Sequence, residues 1–427
     1  MRSSLSIATR GVLAALLVAG CGLLTACGGG SSGSFAGVGG GGSGGGSSGG
    51  GTPGQNTVPV VVDQGPPAAG GSTNVLYTTV TLCAPGSTTQ CQTIDHVQVD
   101  TGSTGFRVLA SVLGTGLQAT DMPQSLDVNG HPLDECTQFA DGYSWGTVRT
   151  ADLVIGSETA ASLPIQVIGD PAAATVPASC VQGPQENTVQ TFGANGILGI
   201  GNFLTDCGAA CAAGAVTGTY YDCPPTGTCA PVSVALSSQV QNPVALFGAD
   251  NNGVVIDLPQ APSPLTSTTT LAGTLIFGIG TQSDNVLPAT AGIYTLDPNY
   301  GTLSTTFNGA NYASSFIDSG SNAYFFTDDT IPTCTGQTSF YCPTTTETLQ
   351  GLIQGQNGAS TTISFSVDNA LTDFATNSAV LPNLAGPAGS SLSGAFDWGL
   401  PFFYGRPVYV AFESNTAAGV AGPWVGF

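Results

Sequence analysis

Two short segments of this 427-residue chain carry the same order of residue types. Val99-Asp100-Thr101-Gly102-Ser103 runs from an apolar stretch into an aspartate, a hydroxyl residue, a glycine and a serine. Ile317-Asp318-Ser319-Gly320-Ser321 does so again. Glycine permits backbone angles that other residues avoid, so each segment puts a carboxylate on a tight turn with hydroxyls beside it. Two such turns facing each other would bring two carboxylates within reach of one proton. Like charges that close cannot both ionise cheaply, so one pKa rises and the pair shares a proton. The charged member can then draw a proton from water while the protonated member donates to a carbonyl oxygen. That is chemistry for hydrolysing an amide, and it calls for no metal and no cofactor.

Other catalytic classes are poorly supplied. The chain has no lysine, which removes Schiff-base and Ser-Lys mechanisms, and only two histidines, His96 and His131. No G-x-S-x-G elbow accompanies them. His96 shares a strand face with Asp100 and reads as a surface strand histidine. Asp250-Asn251-Asn252-Gly253 reads as a turn in preference to a calcium loop.

The elements that must hold the two turns are strands. From Val58 onward, short runs rich in Val, Ile, Thr, Phe and Tyr alternate with Gly, Pro, Asn and Ser turns. Strands are predicted over residues 75–82, 96–99, 147–155, 275–278, 362–367 and 407–412, with residues 347–353 the best short helix candidate. Residues 77–82 lead through a loop and return as residues 96–100, and Phe316-Ile317 is the returning strand of the second turn. The pattern is all-β. The two Asp turns occupy comparable places in two halves dividing near Asn242-Pro243, which predicts a duplicated β lobe, residues 57–242 and 243–427.

Composition narrows the setting. The formal net charge is −21, from 26 acidic residues against five arginines, and only 7% of residues are charged. Such a surface repels phosphate backbones and anionic lipid, so nucleic acid is not an expected partner. Arg2 and Arg10 flank an apolar run over residues 11–24 that is too short for a stable span. It ends in Leu24-Thr25-Ala26-Cys27, which resembles the lipobox of bacterial lipoproteins. This predicts a signal peptide over residues 1–27 with lipid on Cys27, outer-membrane anchoring, and a domain facing the periplasm or the cell surface. Val18-Ala19-Gly20-Cys21 is a weaker match. The Gly/Ser-rich residues 28–56 act as a flexible leash, with a mean reach of about 30 Å.

Ten cysteines follow the leader, an even count that in an exported chain reads as disulfides. Spacing suggests Cys83–Cys91, Cys136–Cys180 and Cys334–Cys342. Two further bridges fall among Cys207, Cys211, Cys223 and Cys229, whose alternative reading as a zinc cluster matches no common finger spacing.

With these motifs in place, the chain resembles the pepsin-like aspartic proteases. Each lobe of that family has a hydrophobic-hydrophobic-Gly strand crossing beside the Asp loop. Ile197-Leu198-Gly199 is similar to the first and Trp398-Gly399-Leu400-Pro401 to the second, followed by a closing strand over residues 408–412. Leu275-Ile276-Phe277-Gly278-Ile279 resembles the strand that opens the family's C-terminal lobe. The likeness covers residues 74–427 at the level of motifs. It implies a bilobal fold with a cleft between the lobes and Asp100 and Asp318 in the catalytic positions. Thr101 and Ser319 would tie the loops to the opposite backbone, and Ser103 and Ser321 would donate to the outer carboxylate oxygens. It also implies a flap hairpin, here around Phe139-Ala140-Asp141-Gly142-Tyr143-Ser144-Trp145-Gly146, with Tyr143 as the candidate flap aromatic and Phe139 in reserve. The chain departs from the family at Arg107, where a tryptophan usually follows the first Asp turn, and at Asp397, where the crossing strand is usually apolar. The implied activity is endopeptidase-like hydrolysis of exposed polypeptide at acidic pH by a monomer. The alternative is a pepsin-fold lipoprotein that binds a protein ligand in the cleft with weak or no hydrolysis.

Overall fold

The computed structural model describes residues 56–389 and 392–427. The leader, Cys27 and residues 28–55 of the leash lie outside the described residues. Asn56, expected to end the leash, is fully buried and donates its side-chain amide to Phe277 O at 3.0 Å. It belongs to the fold.

The first half contributes β1 (Thr57–Val62), β2 (Leu76–Cys83), β3 (Cys91–Asp100), β4 (Thr104–Leu109), β5 (Leu133–Gln138), β6 (Tyr143–Ile155), β7 (Glu158–Ile168), β8 (Gly196–Ile200), β9 (Tyr220–Asp222) and β10 (Ala230–Pro231). The second begins with β11 (Gly253–Asp257), β12 (Leu271–Phe277), β13 (Ile293–Thr295), β14 (Leu303–Phe307), β15 (Ala310–Ile317), β16 (Tyr324–Phe326), β17 (Thr333–Cys334) and β18 (Gln337–Tyr341). It closes with β19 (Glu347–Gln354), β20 (Ser360–Val367), β21 (Ala385–Pro387), β22 (Asp397–Trp398), β23 (Val408–Ala411), β24 (Thr416–Ala417), β25 (Val420–Ala421) and β26 (Trp424–Gly426). The protein is all-β, and among the described residues the α-helices are single turns such as Val189–Phe192.

Residues 347–353, expected as a short helix, form β19 instead. Leu349, Leu352 and Ile353 have helical spacing, but a strand partner decides the outcome. β19 pairs in register with β20 along its whole length, Leu349 opposite Phe365 and Gly351 opposite Ile363. β20 alternates Ile363, Phe365 and Val367 inward with polar residues outward, the period of a half-buried strand. Leu352, on the outer face of β19, stays 37% exposed.

The two Asp turns are built by the same threading. β3 runs into Asp100, the chain turns and leaves as β4, and β8 is inserted between them, parallel to β3 and antiparallel to β4. β15 runs into Asp318, the chain leaves as β16, and β22 lies between them, parallel to β15 and antiparallel to β16. β4 is followed across the sheet by β7 and β16 by β21, both parallel. The two Asp turns thus share one local strand arrangement, the first within a fifteen-stranded sheet and the second within a seven-stranded one.

An inserted strand must pass close to the departing backbone, and glycine makes that possible. A Cβ on Gly199 would lie 2.8 Å from Thr104 N, and one on Gly399 would lie 2.1 Å from Ala323 O. Trp398, next to Gly399, is fully buried against Phe396, Tyr324, Phe365 and Phe402 and donates its ring N–H to Thr305 Oγ1 at 3.0 Å.

The halves are not separable at residue 242. One sheet of fifteen strands runs from β10 through β3, β2 and β1 into β12, β11, β23, β26 and β13. β1, from the start of the chain, pairs with β12 of the second half over its full length. Asn74, buried at a left-handed φ of 52°, adds a second seam. Its amide donates to Asn322 O and Leu381 O, and its Oδ1 accepts from Leu381 N and the Tyr404 hydroxyl. Five disulfides close local loops: Cys83–Cys91, Cys136–Cys180, Cys207–Cys211, Cys223–Cys229 and Cys334–Cys342. The four cysteines between 207 and 229 are thus two bridges, which removes the zinc reading.

Gly199→Ala and Gly399→Ala are each expected to lower stability by about 1–3 kcal/mol or more, because the new methyl meets backbone in both, together with the Ser103 hydroxyl at Gly199. Gly248 has nothing within 4 Å of its Cβ position, so Gly248→Ala should be neutral to slightly stabilising. Chemical denaturation of the three variants checks the contrast.

Candidate active site

The threading delivers Asp100 and Asp318 to adjoining loops. Each aspartate first closes its own turn: Gly102 N donates to Asp100 Oδ1 and Gly320 N to Asp318 Oδ1, both at 2.7 Å. The loops then lock together. Thr101 Oγ1 donates to Ile317 O at 3.2 Å and accepts from Ser319 N at 2.9 Å. Ser319 Oγ donates to Val99 O at 2.8 Å and accepts from Thr101 N at 3.1 Å. Each carboxyl rests on the other loop's glycine: a Cβ on Gly102 or Gly320 would stand 2.6 Å from the Cγ of Asp318 or Asp100. Both carboxyl groups are completely buried.

Their environments differ. Burial pushes Asp318 well above the usual carboxylate range, and the neighbouring Asp100 charge pushes it further. Burial raises Asp100 too, but a hydrogen bond from Asp318 opposes the rise. The rise is the stronger at Asp318, which favours the proton there and the charge on Asp100. Ser321 Oγ donates to Asp318 Oδ2 at 2.8 Å. Ser103 Oγ, its counterpart, makes no hydrogen bond of normal geometry, although it sits close enough to Asp100 to favour the charged form.

A cleft of about 450 Å³ opens above the loops. Thr101, Gly102 and Ile317 form its floor, and its walls come from both halves, among them Phe203, Tyr300, Phe316 and Leu392. Gln138, Phe139 and Ala140, at the tip of the β5–β6 hairpin, also line it. Phe139 packs edge-on against Phe192 with centroids 5.7 Å apart. Tyr143, the first choice as flap aromatic, is not among the cleft-lining residues. It packs instead with Trp145, Tyr221 and the Cys136–Cys180 bridge.

Three features were not read from the sequence. Gln98, two residues before Asp100, donates its amide to Gly320 O at 3.0 Å and so braces the opposite loop. The signal was available, since strand alternation puts Gln98 on the face of Asp100. Arg107 is almost fully buried and binds the base of the hairpin: its Nε donates to Thr137 Oγ1 at 2.9 Å and its Nη2 to Glu135 Oε1 at 2.6 Å and Asp206 Oδ2 at 3.2 Å. A guanidinium thus fastens the hairpin to β4 at the position where an aromatic was expected. The third feature is a carboxyl pair at the hairpin tip. Burial raises Asp141 to about 7 and Glu186 to about 9, the latter also because of Asp141. The strip carrying Glu186 is bonded to Tyr143 through Tyr143 N to Pro184 O at 3.0 Å and Glu186 N to Tyr143 O at 2.8 Å.

His131 Nδ1 and Asp222 Oδ1 are hydrogen-bonded at 2.8 Å near Asp127, at a partly exposed turn on the first half. His96 contacts Asp63 and Asp95. Neither histidine joins the aspartate pair. Asp250 bonds Thr281 and Gln282 within a turn.

The family profile described as Protein of unknown function (DUF3443) matches residues 52–427, nearly all of the chain. The chain belongs to this family. The match spans both Asp loops, both inserted strands and all five disulfides. No curated protein matches the sequence.

Two outcomes follow from the geometry. Thr101→Val removes a buried hydroxyl that both donates and accepts across the seam, and should cost about 1–3 kcal/mol. Combined with Ser319→Ala, it should show a coupling of about 0.5–3 kcal/mol in a double-mutant cycle read by denaturation. The Asp141–Glu186 pair has folded pKa values raised above the unfolded ones, so its stabilising effect is full at acid pH and fades as pH climbs through about 7 to 9. Melting temperatures measured from pH ~5 to ~9 should therefore fall less steeply in Glu186→Gln than in the wild type.

Proposed function

We propose that this protein is an aspartic endopeptidase-like hydrolase with the bilobal architecture of the pepsin-like family, in which Asp100 and Asp318 activate water against peptide bonds. One observation carries the reading: two carboxyls on duplicated loops, braced by reciprocal hydrogen bonds and sharing a proton, beneath a cleft walled by both halves. In this reading Asp100 is the base that takes a proton from water, and Asp318 donates to the carbonyl oxygen of the scissile bond. Gly102 and Gly320 keep the carboxyls close enough to share that proton. The hairpin tip around Phe139 closes over an extended peptide in the cleft, and Arg107 holds the base of that hairpin.

The lipobox-like Leu24-Thr25-Ala26-Cys27 supports an exported lipoprotein held to the outer membrane through Cys27, with the acidic domain on the leash clear of lipid. A monomer is sufficient, because one chain supplies both aspartates.

A second reading has its own support. Both carboxyls are fully buried, which suits a cleft that binds polypeptide without cutting it. The deciding experiment expresses residues 56–427 and assays an unfolded protein substrate from pH ~3 to ~7. The hydrolase reading expects activity sensitive to a pepstatin-type inhibitor, reduced at least about 10²–10⁴-fold in Asp100→Asn and Asp318→Asn. Equal inertness of the wild type and both folded variants transfers the assignment to the binding reading.

A further inference from the structure

The inserted strand of the second half contains an oddity that its counterpart lacks. Two residues before Gly199 stands Ile197, in register with Gln98 and Arg107. Two residues before Gly399 stands Asp397, in register with Phe316 on β15 and Phe325 on β16. Neighbours in register project to the same face of a sheet, and Phe316 lies two residues before Asp318. Asp397 therefore shares the face that carries Asp318. It is completely buried, and neither of its carboxyl oxygens has a hydrogen-bond partner of normal geometry.

An isolated carboxylate in such a place is very costly, so the group must carry a proton or share charge with neighbours. Its surroundings are specific. From β15 and the loop after it come Phe316, Asp318 and the Ser321 hydroxyl; from β16 comes Phe325; and the first half presents Asp100. Ser321 lies beside Asp397 and can give its single hydroxyl proton to either carboxyl; in this structure it donates to Asp318 Oδ2 at 2.8 Å. The Asp100 charge strengthens the hold of Asp397 on its proton, and the Asp397 charge does the same to Asp318.

We propose that Asp397 is a third carboxyl of the site, a positioning residue linked to Asp318 through Ser321 that surrenders its proton in place of the dyad as pH rises. This rests on the hydrolase reading for its consequence in catalysis. Two charges on the touching Asp100 and Asp318 carboxyls repel more strongly than one on that pair and one on Asp397. The second ionisation of the cluster therefore falls on Asp397. Its negative charge then makes the last proton, the one shared by Asp100 and Asp318, harder to remove. The working, singly protonated dyad thus survives to higher pH than two carboxyls alone would allow. No bond is made or broken at Asp397; a proton leaves to solvent and returns from it.

The test compares the pH profile of hydrolysis in the wild type, Asp397→Asn and Asp397→Ile, the last copying Ile197. Both variants should remain active near pH ~4 yet lose activity earlier on the alkaline limb, by about one pH unit, or roughly tenfold at a fixed pH on that limb. An alkaline limb that coincides with wild type in both active variants overturns the proposal. A loss confined to Asp397→Ile and uniform across pH also overturns it, since that would be a packing defect. If the wild type hydrolyses nothing, the hydrolase reading fails, and this proposal is still decided by carboxyl ¹³C titration. Asp397→Asn should lower the final ionisation of the remaining aspartate pair by a similar shift, and an unchanged titration overturns the cluster.

Discussion

Everything distinctive about this molecule hangs on four hydrogen bonds between two loops. Thr101 and Ser319 each reach across with a hydroxyl that donates to one backbone carbonyl and accepts from one backbone amide. The four groups satisfied this way lie in a buried seam, where an unmet donor or acceptor would be expensive. The loops consequently have one mutual position, and that position forces two carboxyls together. Burial and repulsion oppose the contact; the shared proton and the amides of Gly102 and Gly320 offset them. The long sheet, the inserted strands and the hairpin are the means by which chain segments remote in sequence arrive at this seam.

Duplication supplies the geometry, and departures from duplication make the two carboxyls unequal. The position two residues before each aspartate is Gln98 in one half and Phe316 in the other. Gln98 extends across to Gly320 O, whereas Phe316 lines the cleft. The inserted strands carry Ile197 and Asp397 at matching places. Ser321 bonds its aspartate and Ser103 does not. A perfectly symmetric pair would have no preference for where the proton resides. Here the Asp397 carboxyl and the donors that face Asp100 favour a proton on Asp318, while the Ser321 hydroxyl, donating to Asp318, works against them.

The features legible in the sequence were those whose physics is local. Asp-hydroxyl-Gly-Ser announces a turn with a capped carboxylate, and period-two runs such as Thr362 to Val367 announce strands. Cysteines a few residues apart announce loop closures, and the disulfides join them as spacing suggested. What stayed hidden depends on partners far along the chain. Residues 347–353 have spacing compatible with a helix until β20 is brought alongside. Asn74 reads as an ordinary turn residue, because nothing near it reveals Asn322, Leu381 and Tyr404. Arg107 reads as a substituted aromatic until Glu135 and Asp206 gather round it. Tyr143 and Phe139 are equally eligible hairpin aromatics in sequence, and what separates them is the distant Tyr221 and Cys180 that Tyr143 packs against.

β1 shows how the two halves depend on each other in time as well as in space. A ribosome releases Thr57–Val62 long before Leu271–Phe277, yet those two strands are hydrogen-bonded along their length. Until the later strand emerges, one edge of the first half's sheet stays open, apolar on one face and ready to pair with any other extended chain. Four of the five disulfides can close before then, Cys334–Cys342 lies beyond Phe277, and none ties one half to the other. The interval between the appearance of Val62 and that of Leu271 is therefore when a chaperone that holds extended chain would be most needed.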